Sequence, residues 1–293
     1  MSQATLARRQ QAEQLAATLP SLLVAAERVA AIVAQGVHGR RRVGIGETFW
    51  QFRRYQPGDS MTQIDWRQSA KRSRVFIREN EWEAAESVWI WCDASPSMRY
   101  RSALAPTAKG DRAALMGLAL AVLLIRGGEQ VALLGGDSRP TTGSTTLTRL
   151  AAELEHGEED QPSQPPMVVL PRYAQVVLIG DFLSPTEETE ALIRHYVGAG
   201  VKGHLLQIVD PAEETLPFSG RTRFEGLEGE GDILVGRPES LRDDYVGRFL
   251  AHRAEIAAFA RAAGWNFAVH HTDRPAQTAL LALYLAMSAQ SRW

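Results

Sequence analysis

The sequence predicts an α/β fold, a largely parallel sheet with helices on both faces, preceded by an N-terminal helical and arginine-rich extension. Three observations lead there. From Arg74 onward, short β-prone runs alternate with segments of helical periodicity long enough to cross back over a sheet. Two of the runs, Ser87 to Cys92 (SVWIWC) and Gln175 to Ile179 (QVVLI), are apolar on both faces, as strands inside a covered parallel sheet are. Each of those two ends at an aspartate, Asp93 directly and Asp181 one glycine later.

The elements follow in order. Residues Leu6 to Ala34 lack glycine, and Leu15, Leu19, Leu22, Leu23, Ala26 and Val29 recur at helical spacing, interrupted at Pro20. They predict one or two amphipathic helices ending near Gly36. Val37 to Arg78 is glycine-containing, aromatic and rich in arginine, with ten basic residues against three acidic ones. Val75 to Arg78 is a short strand candidate before the SVWIWC strand. A helix from Lys109 to Arg126, a strand from Gln130 to Leu134 and a helix near Leu147 to Glu155 come next. The QVVLI strand, a helix from Thr186 to Ala199 and a strand from His204 to Val209 follow. Thr222 to Val235 reads as a hairpin or two short strands. Helix Leu241 to Ala263, strand Trp265 to His270 and helix Pro275 to Ala289 close the chain. The acidic, proline-rich stretch Gly157 to Pro171 is expected to be a surface loop. The expected division is residues 1–82, holding the N-terminal helix and the Arg/aromatic segment, and residues 83–293, holding the α/β domain.

Totals exclude several classes. The chain has 293 residues, 45% of them hydrophobic, enough for a sizeable core without disulfide or metal staples. The formal net charge of -2 gives no global attraction to nucleic acid or anionic membrane. Cys92 is the one cysteine, so no internal disulfide can form. The N-terminal stretch has arginines but no apolar core of a secretory signal. The longest apolar run, Ala113 to Ile125, would rise only about 20 Å as a helix, short of a bilayer's hydrocarbon core. The expected location is the cytoplasm.

The chemistry concentrates in Cys92-Asp93-Ala-Ser95-Pro-Ser97-Met98. A loop just beyond the carboxyl end of a parallel strand is where open α/β sheets bind ligands. Alternate positions there place one carboxylate and two hydroxyls toward a common point. Such oxygens suit a hard cation, Mg²⁺ or alternatively Mn²⁺ or Ca²⁺. Asp181, at the end of a second apolar strand, supplies the expected second carboxylate. The plainer reading of Asp93 and its serines is that they satisfy free backbone N–H groups of the following turn.

Two stretches resemble known families. Asp93-x-Ser95-x-Ser97 resembles the metal-ion-dependent adhesion motif of von Willebrand factor A domains. The run from Gly36 to Met98 resembles the signature of domain-of-unknown-function family 58, bacterial proteins often encoded beside MoxR-type AAA+ ATPases. Its matching elements include Gly46-Glu47-Thr48-Phe49, Arg53-Arg54-Tyr55, Pro57-Gly58-Asp59, Ile64-Asp65-Trp66 and Arg78-Glu79. The resemblance implies a Rossmann-like, von Willebrand factor A-type sheet and a metal site open to a partner's carboxylate. It also implies a MoxR-type ATPase as partner, with an unknown client protein. In adhesion-type domains a threonine of a second loop also ligates, and Thr145, with Thr146 beside it, stands in that position. Many family members look membrane-anchored through N-terminal apolar spans; this sequence shows none and is expected to be soluble.

The leading expectation is therefore a metal-dependent protein-binding adaptor rather than an enzyme, since no nucleotide-binding loop or nucleophile motif is present. A metal-dependent hydrolase is the alternative, with Asp137 or His271 as the base. A nucleic-acid-binding protein is the third, through arginines interleaved with Phe49, Trp50, Phe52, Tyr55 and Trp66. Arg53, Arg54 and Arg67 are the candidate partner-binding groups, though arginines in such numbers also pair internally with Asp59, Asp65 and Glu79. The pair His270 and His271 near Asp273 could bind zinc, although one buried histidine at a strand end is commoner. Cys92 is read as a small buried hydrophobe.

Overall fold

A computed structural model describes residues 21–37, 49–54, 69, 75–80, 87–136, 139–155, 162–229 and 231–290. The chain forms two compact units, Met1–Arg40 with Glu86–Trp293, and Arg41–Ala85. In the smaller unit, β1 (Phe49–Arg54) pairs antiparallel with β2 (Phe76–Asn80). Val75 to Arg78 is thus a strand shifted by a residue or two, and its partner over Phe49–Arg54 lacked any alternation to announce it. Arg67, Asp65, Asp59 and the side chains of Arg53 and Arg54 lie outside what the structure describes.

In the larger unit, α1 (Ser21–Val37) leads into β3 (Ser87–Cys92), α2 (Lys109–Gly127), β4 (Gln130–Leu133) and α3 (Ser144–Glu155). Then come β5 (Gln175–Gly180), α4 (Thr186–Gly198), β6 (Lys202–Val209) and the short α5 (Pro211–Thr215). A hairpin of β7 (Thr222–Glu225) and β8 (Asp232–Val235) precedes α6 (Arg242–Ala262), β9 (Asn266–His271) and α7 (Ala276–Gln290). The sheet has five parallel strands in the order β4-β3-β5-β6-β9. From β3 the chain steps outward to β4, then returns to β5 on the other side. The carboxyl ends of β3 and β5 therefore flank the point where strand order reverses, the usual ligand crevice of open α/β sheets.

Both faces are covered, as expected. On one, Leu23 and Val29 of α1, Met116 and Leu120 of α2, Leu150 of α3 and Leu280 and Leu283 of α7 are buried against β3 and β5. On the other, Leu192 and Tyr196 of α4 pack with Ile256 and Ala260 of α6 and with Trp265. From Ala113 to Ile125 the residues of α2 are all apolar because this stretch is enclosed by α1, α3, α7 and the sheet. Gly117 lets α2 lie close on β3: a Cβ there would sit 2.4 Å from Cys92 Sγ. Cys92 is buried as expected, and burial, then the Asp93 charge, pushes its thiol up to about 12. No helix among the described residues is long and apolar enough to cross a membrane.

Two histidines are buried in adjacent strands, His204 in β6 and His270 in β9. Burial is the larger cause holding both down to about 4, helped by Lys202 at His204 and by Arg112 at His270. Neither ring nitrogen of His204 has a hydrogen-bond partner among the described residues. In the unfolded chain both would protonate near 6.5. Between pH 6.5 and 4 the unfolded state binds more protons, so stability must fall as pH falls through that window. The full shift at one histidine corresponds to about 3 kcal/mol. Urea denaturation is expected to show a lower midpoint at pH 5 than at pH 7, and His204→Leu should flatten that pH slope. An unchanged slope in the variant would remove His204 from the account.

Candidate metal and partner-binding site

The site is built from two strand ends and three turns. Backbone pairing of β3 and β5 continues one residue past the strands, where Asp93 N–H donates to the Ile179 carbonyl at 2.8 Å. Asp93 then leaves the sheet, and its Oδ1 accepts from the Ser95 N–H at 2.9 Å, a turn that short acidic side chains favour. Ser95 is extended, and Pro96 starts a single 3₁₀ turn, Pro96–Arg99, whose buried Met98 anchors the loop. Ser95 Oγ lies 3.1 Å from Ser97 Oγ, and Ser97 Oγ donates to Asp181 Oδ2 at 2.8 Å. The four residues singled out by sequence, Asp93, Ser95, Ser97 and Asp181, thus meet through a chain of hydrogen bonds.

Asp181 is held from several sides. Its Oδ1 accepts from Leu183 N–H at 3.3 Å, and its carbonyl accepts from Gln207 Nε2 at 2.9 Å. The next residue, Phe182, has φ 52, a left-handed backbone that a bulky residue adopts only where surroundings compel it. Its carbonyl contacts His252 Nε2 at 2.8 Å. Gly180 is needed for another reason: a Cβ there would lie 2.9 Å from Asp93 Cβ and 3.0 Å from Asp93 Oδ2.

Sequence reasoning missed a cation at the centre. The ammonium of Lys109, at the start of α2 and fully buried, donates to Asp181 Oδ2 at 2.9 Å and to Glu213 Oε1 at 2.5 Å. The signal was present: a lysine at a helix N-terminus opposes the helix dipole and calls for acidic neighbours. Glu213 belongs to α5, whose Asp210-Pro211-x-Glu213 sequence forms a capping box; Asp210 N–H donates to Glu213 Oε2 at 2.9 Å. Asp210 itself accepts from Ala212 N–H and, across the crevice, from Ser102 N–H at 2.8 Å.

The charges shift accordingly. Burial, then the Asp181 charge, pushes Asp93 up to about 7, against the opposing hydrogen bonds of Ser95 and the charge of Lys109. Burial pulls Lys109 down, but Asp181 and Glu213 outweigh it and hold the ammonium above the ordinary lysine value. Burial raises Glu213, opposed by Lys109. One oxygen stands apart. Asp93 Oδ2 is buried without a hydrogen-bond partner among the described residues, though Asp93 is only 2% exposed. A buried carboxylate oxygen with no donor calls for a proton or a cation.

The remaining candidates lie elsewhere. Thr145 is exposed in the first turn of α3; Thr146 is buried, and its hydroxyl donates to the Thr142 carbonyl at 3.0 Å and lies 2.9 Å from Thr141 Oγ1. Neither threonine joins the hydrogen-bonded group around Asp93. Asp137 lies outside the described residues. His270 is buried, as the plainer reading has it, while His271 Nε2 pairs with Glu214 rather than with Asp273. Glu214 also takes Arg253 at 2.7 Å, and Arg253 Nε donates to Gln207 Oε1 at 2.9 Å. Burial would raise Glu214, yet the hydrogen bonds from His271 and Arg253 prevail and lower it. Among the described residues no three His, Cys, Asp or Glu side chains converge as a metal-ligand group. Any ion at Asp93 and Asp181 would therefore rest on two carboxylates and two hydroxyls.

Residues 51–255, well over half of the chain, match the family described as "Protein of unknown function DUF58". The chain belongs to that family. The DUF58 match spans β1 through most of α6 and so includes Asp93, Ser95, Ser97, Lys109, Asp181 and Glu213. Uncharacterized proteins of Mycobacterium bovis and Mycobacterium tuberculosis are 26% identical over 280 residues, covering 89% of this chain and 86% of theirs. Among solved structures, BatB from Bacteroides thetaiotaomicron is similar at a TM-score of 0.43 and 15% identity, covering 71% of this chain and 100% of BatB. An aerotolerance-related membrane protein from Bacteroides fragilis gives a TM-score of 0.42 at 15% identity, covering 70% of this chain and 100% of that one.

Gly180→Ala is expected to destabilise this DUF58 chain by about 1–3 kcal/mol, because the added methyl group drives into Asp93. Gly198→Ala, where an added Cβ meets nothing within 4 Å, is the control and should change little. Equal denaturant midpoints for the two variants would mean that Gly180 is not required for the Asp93 placement.

Proposed function

We propose that the chain is a metal-dependent protein-binding module of von Willebrand factor A type. The observation that carries this reading is the meeting of Asp93, Ser95, Ser97 and Asp181 at the reversal point of the sheet, with Asp93 Oδ2 buried and unpartnered among the described residues. Those four side chains would hold a divalent cation, Mg²⁺ first by their oxygen-only character, with Mn²⁺ or Ca²⁺ as alternatives. The ion supplies directional electrostatic attraction for a carboxylate of another protein. The chain's own residues do the rest. The sheet ends orient Asp93 and Asp181. Gly180 leaves room for Asp93, and the Pro96–Arg99 turn presents Ser97 toward Asp181.

Binding rather than turnover fits the groups present. Lys109 and Glu213 are tied to each other and to Asp181, and His271 is tied to Glu214, so the acid–base groups near the crevice already satisfy one another. The family resemblance supports a MoxR-type AAA+ ATPase as partner, acting with this module on a client protein in the cytoplasm.

Calorimetric titration of the full chain with Mg²⁺ tests the reading. Asp93→Ala is expected to abolish the binding heat while thermal melting by circular dichroism persists. Capture of the ATPase should likewise be lost when a chelator is added. Equal Mg²⁺ binding by the folded variant and the unchanged protein would refute the site.

A further inference from the structure

Lys109 has no role in the reading above, yet it is the group most deeply embedded in the site. Its ammonium is fully buried and shared between Asp181 Oδ2 and Glu213 Oε1. Asp181 Oδ2 also accepts from Ser97 Oγ, and Asp181 Oδ1 faces the Leu183 N–H. Three donors thus already engage the Asp181 carboxylate, whereas Asp93 Oδ2, across the same crevice, has no donor among the described residues. The two aspartates are therefore not equivalent: one keeps an oxygen without a donor, and the other already faces a cation built into the chain.

We infer that Lys109 is a resident counter-cation that a divalent ion must displace from Asp181, with Glu213 as the acceptor that keeps the displaced ammonium. This rests on the metal-site reading and deepens it: the Lys109–Glu213 pair sets the affinity and discriminates between ions. A doubly charged ion bridging Asp93 and Asp181 competes for Asp181 more strongly than a singly charged one, which brings no more charge than the ammonium already there. Glu213 is placed for its part. One oxygen faces Lys109, and the other is fixed by the Asp210 N–H within the capping box, so the acceptor stays in position when Asp181 is taken. Lys109 and Glu213 are positioning residues here, not ligands.

The test is Mn²⁺ binding to the full chain, followed by electron paramagnetic resonance, with circular dichroism as the check of folding. Lys109→Met should bind Mn²⁺ about tenfold more tightly or better, because the competing charge is gone. Glu213→Gln should bind several-fold more weakly, because the ammonium then rests on Asp181 alone. The decisive variant is the double one, Lys109→Met with Glu213→Gln. It carries the same net charge as the unchanged protein, so a gain in affinity reports a freed Asp181 oxygen rather than a stronger field.

Removing one partner of a buried ion pair is destabilising, so Lys109→Met alone could unfold; the double variant and Glu213→Gln then decide. Wild-type or weaker affinity in the folded double variant overturns the inference, as does unchanged or tighter binding in Glu213→Gln. Asp93→Asn added to each protein separates the two readings. If Mn²⁺ binding is abolished by Asp93→Asn but indifferent to Lys109 and Glu213, the displacement idea alone falls. If Asp93→Asn changes nothing in any background, the metal site falls and the inference with it.

Discussion

The Asp181 carboxylate, held by the Lys109 ammonium on one side and the Ser97 hydroxyl on the other, ties the parts of the crevice together. Through it, the end of β5 is joined to the loop after β3 and to the start of α2. Glu213 extends the chain of contacts to α5 at the end of β6. Three successive positions on the carboxyl side of the sheet are thus bound by ion pairs and charge-assisted hydrogen bonds in a place where water is largely excluded. In such surroundings each contact is stronger than at a surface, and each missing partner costs more. That is why Asp93 Oδ2, unpartnered among the described residues, stands out.

The packing explains why these groups can be buried at all. Helix α2 is enclosed by α1, α3 and α7, and its glycine at position 117 lets it lie against Cys92. The same close approach carries Lys109, at the head of the helix, into the crevice, where its charge meets Asp181 and Glu213. A lysine at a helix N-terminus is unfavourable by itself. Here the two carboxylates reverse the balance, and the ammonium is held above its ordinary value despite burial. Gly180 and the left-handed Phe182 make the complementary adjustment on the β5 side, opening room for Asp93 and turning the chain sharply after Asp181.

Much of this arrangement was legible in the chain. The doubly apolar runs SVWIWC and QVVLIG announced β3 and β5, because strands covered on both faces need no polar side. The aspartates that follow them therefore came with their positions at strand ends. The helices from Lys109, Thr186, Leu241 and Pro275 were placed to within a few residues. Less visible were the strand Phe49–Arg54, whose aromatic and basic residues show no alternation, and α5, too short for a periodic pattern and announced only by its capping-box residues. Thr145 illustrates the other limit: its spacing matched a motif, but α3 begins at Ser144 and leaves Thr145 exposed in its first turn.

The sequence by itself determined the α/β class, the order of strands and helices, and the two strand-end aspartates with their serines. These depend on local periodicity and on residues close together in the chain. Only the tertiary structure decided that α1 packs against α2 and α7, that β5 lies beside β3, and that Lys109 joins Asp181 to Glu213 across separations of 72 and 104 residues. A charged side chain takes its partner from whatever the folded backbone brings within reach, and no pattern along the chain encodes that distance.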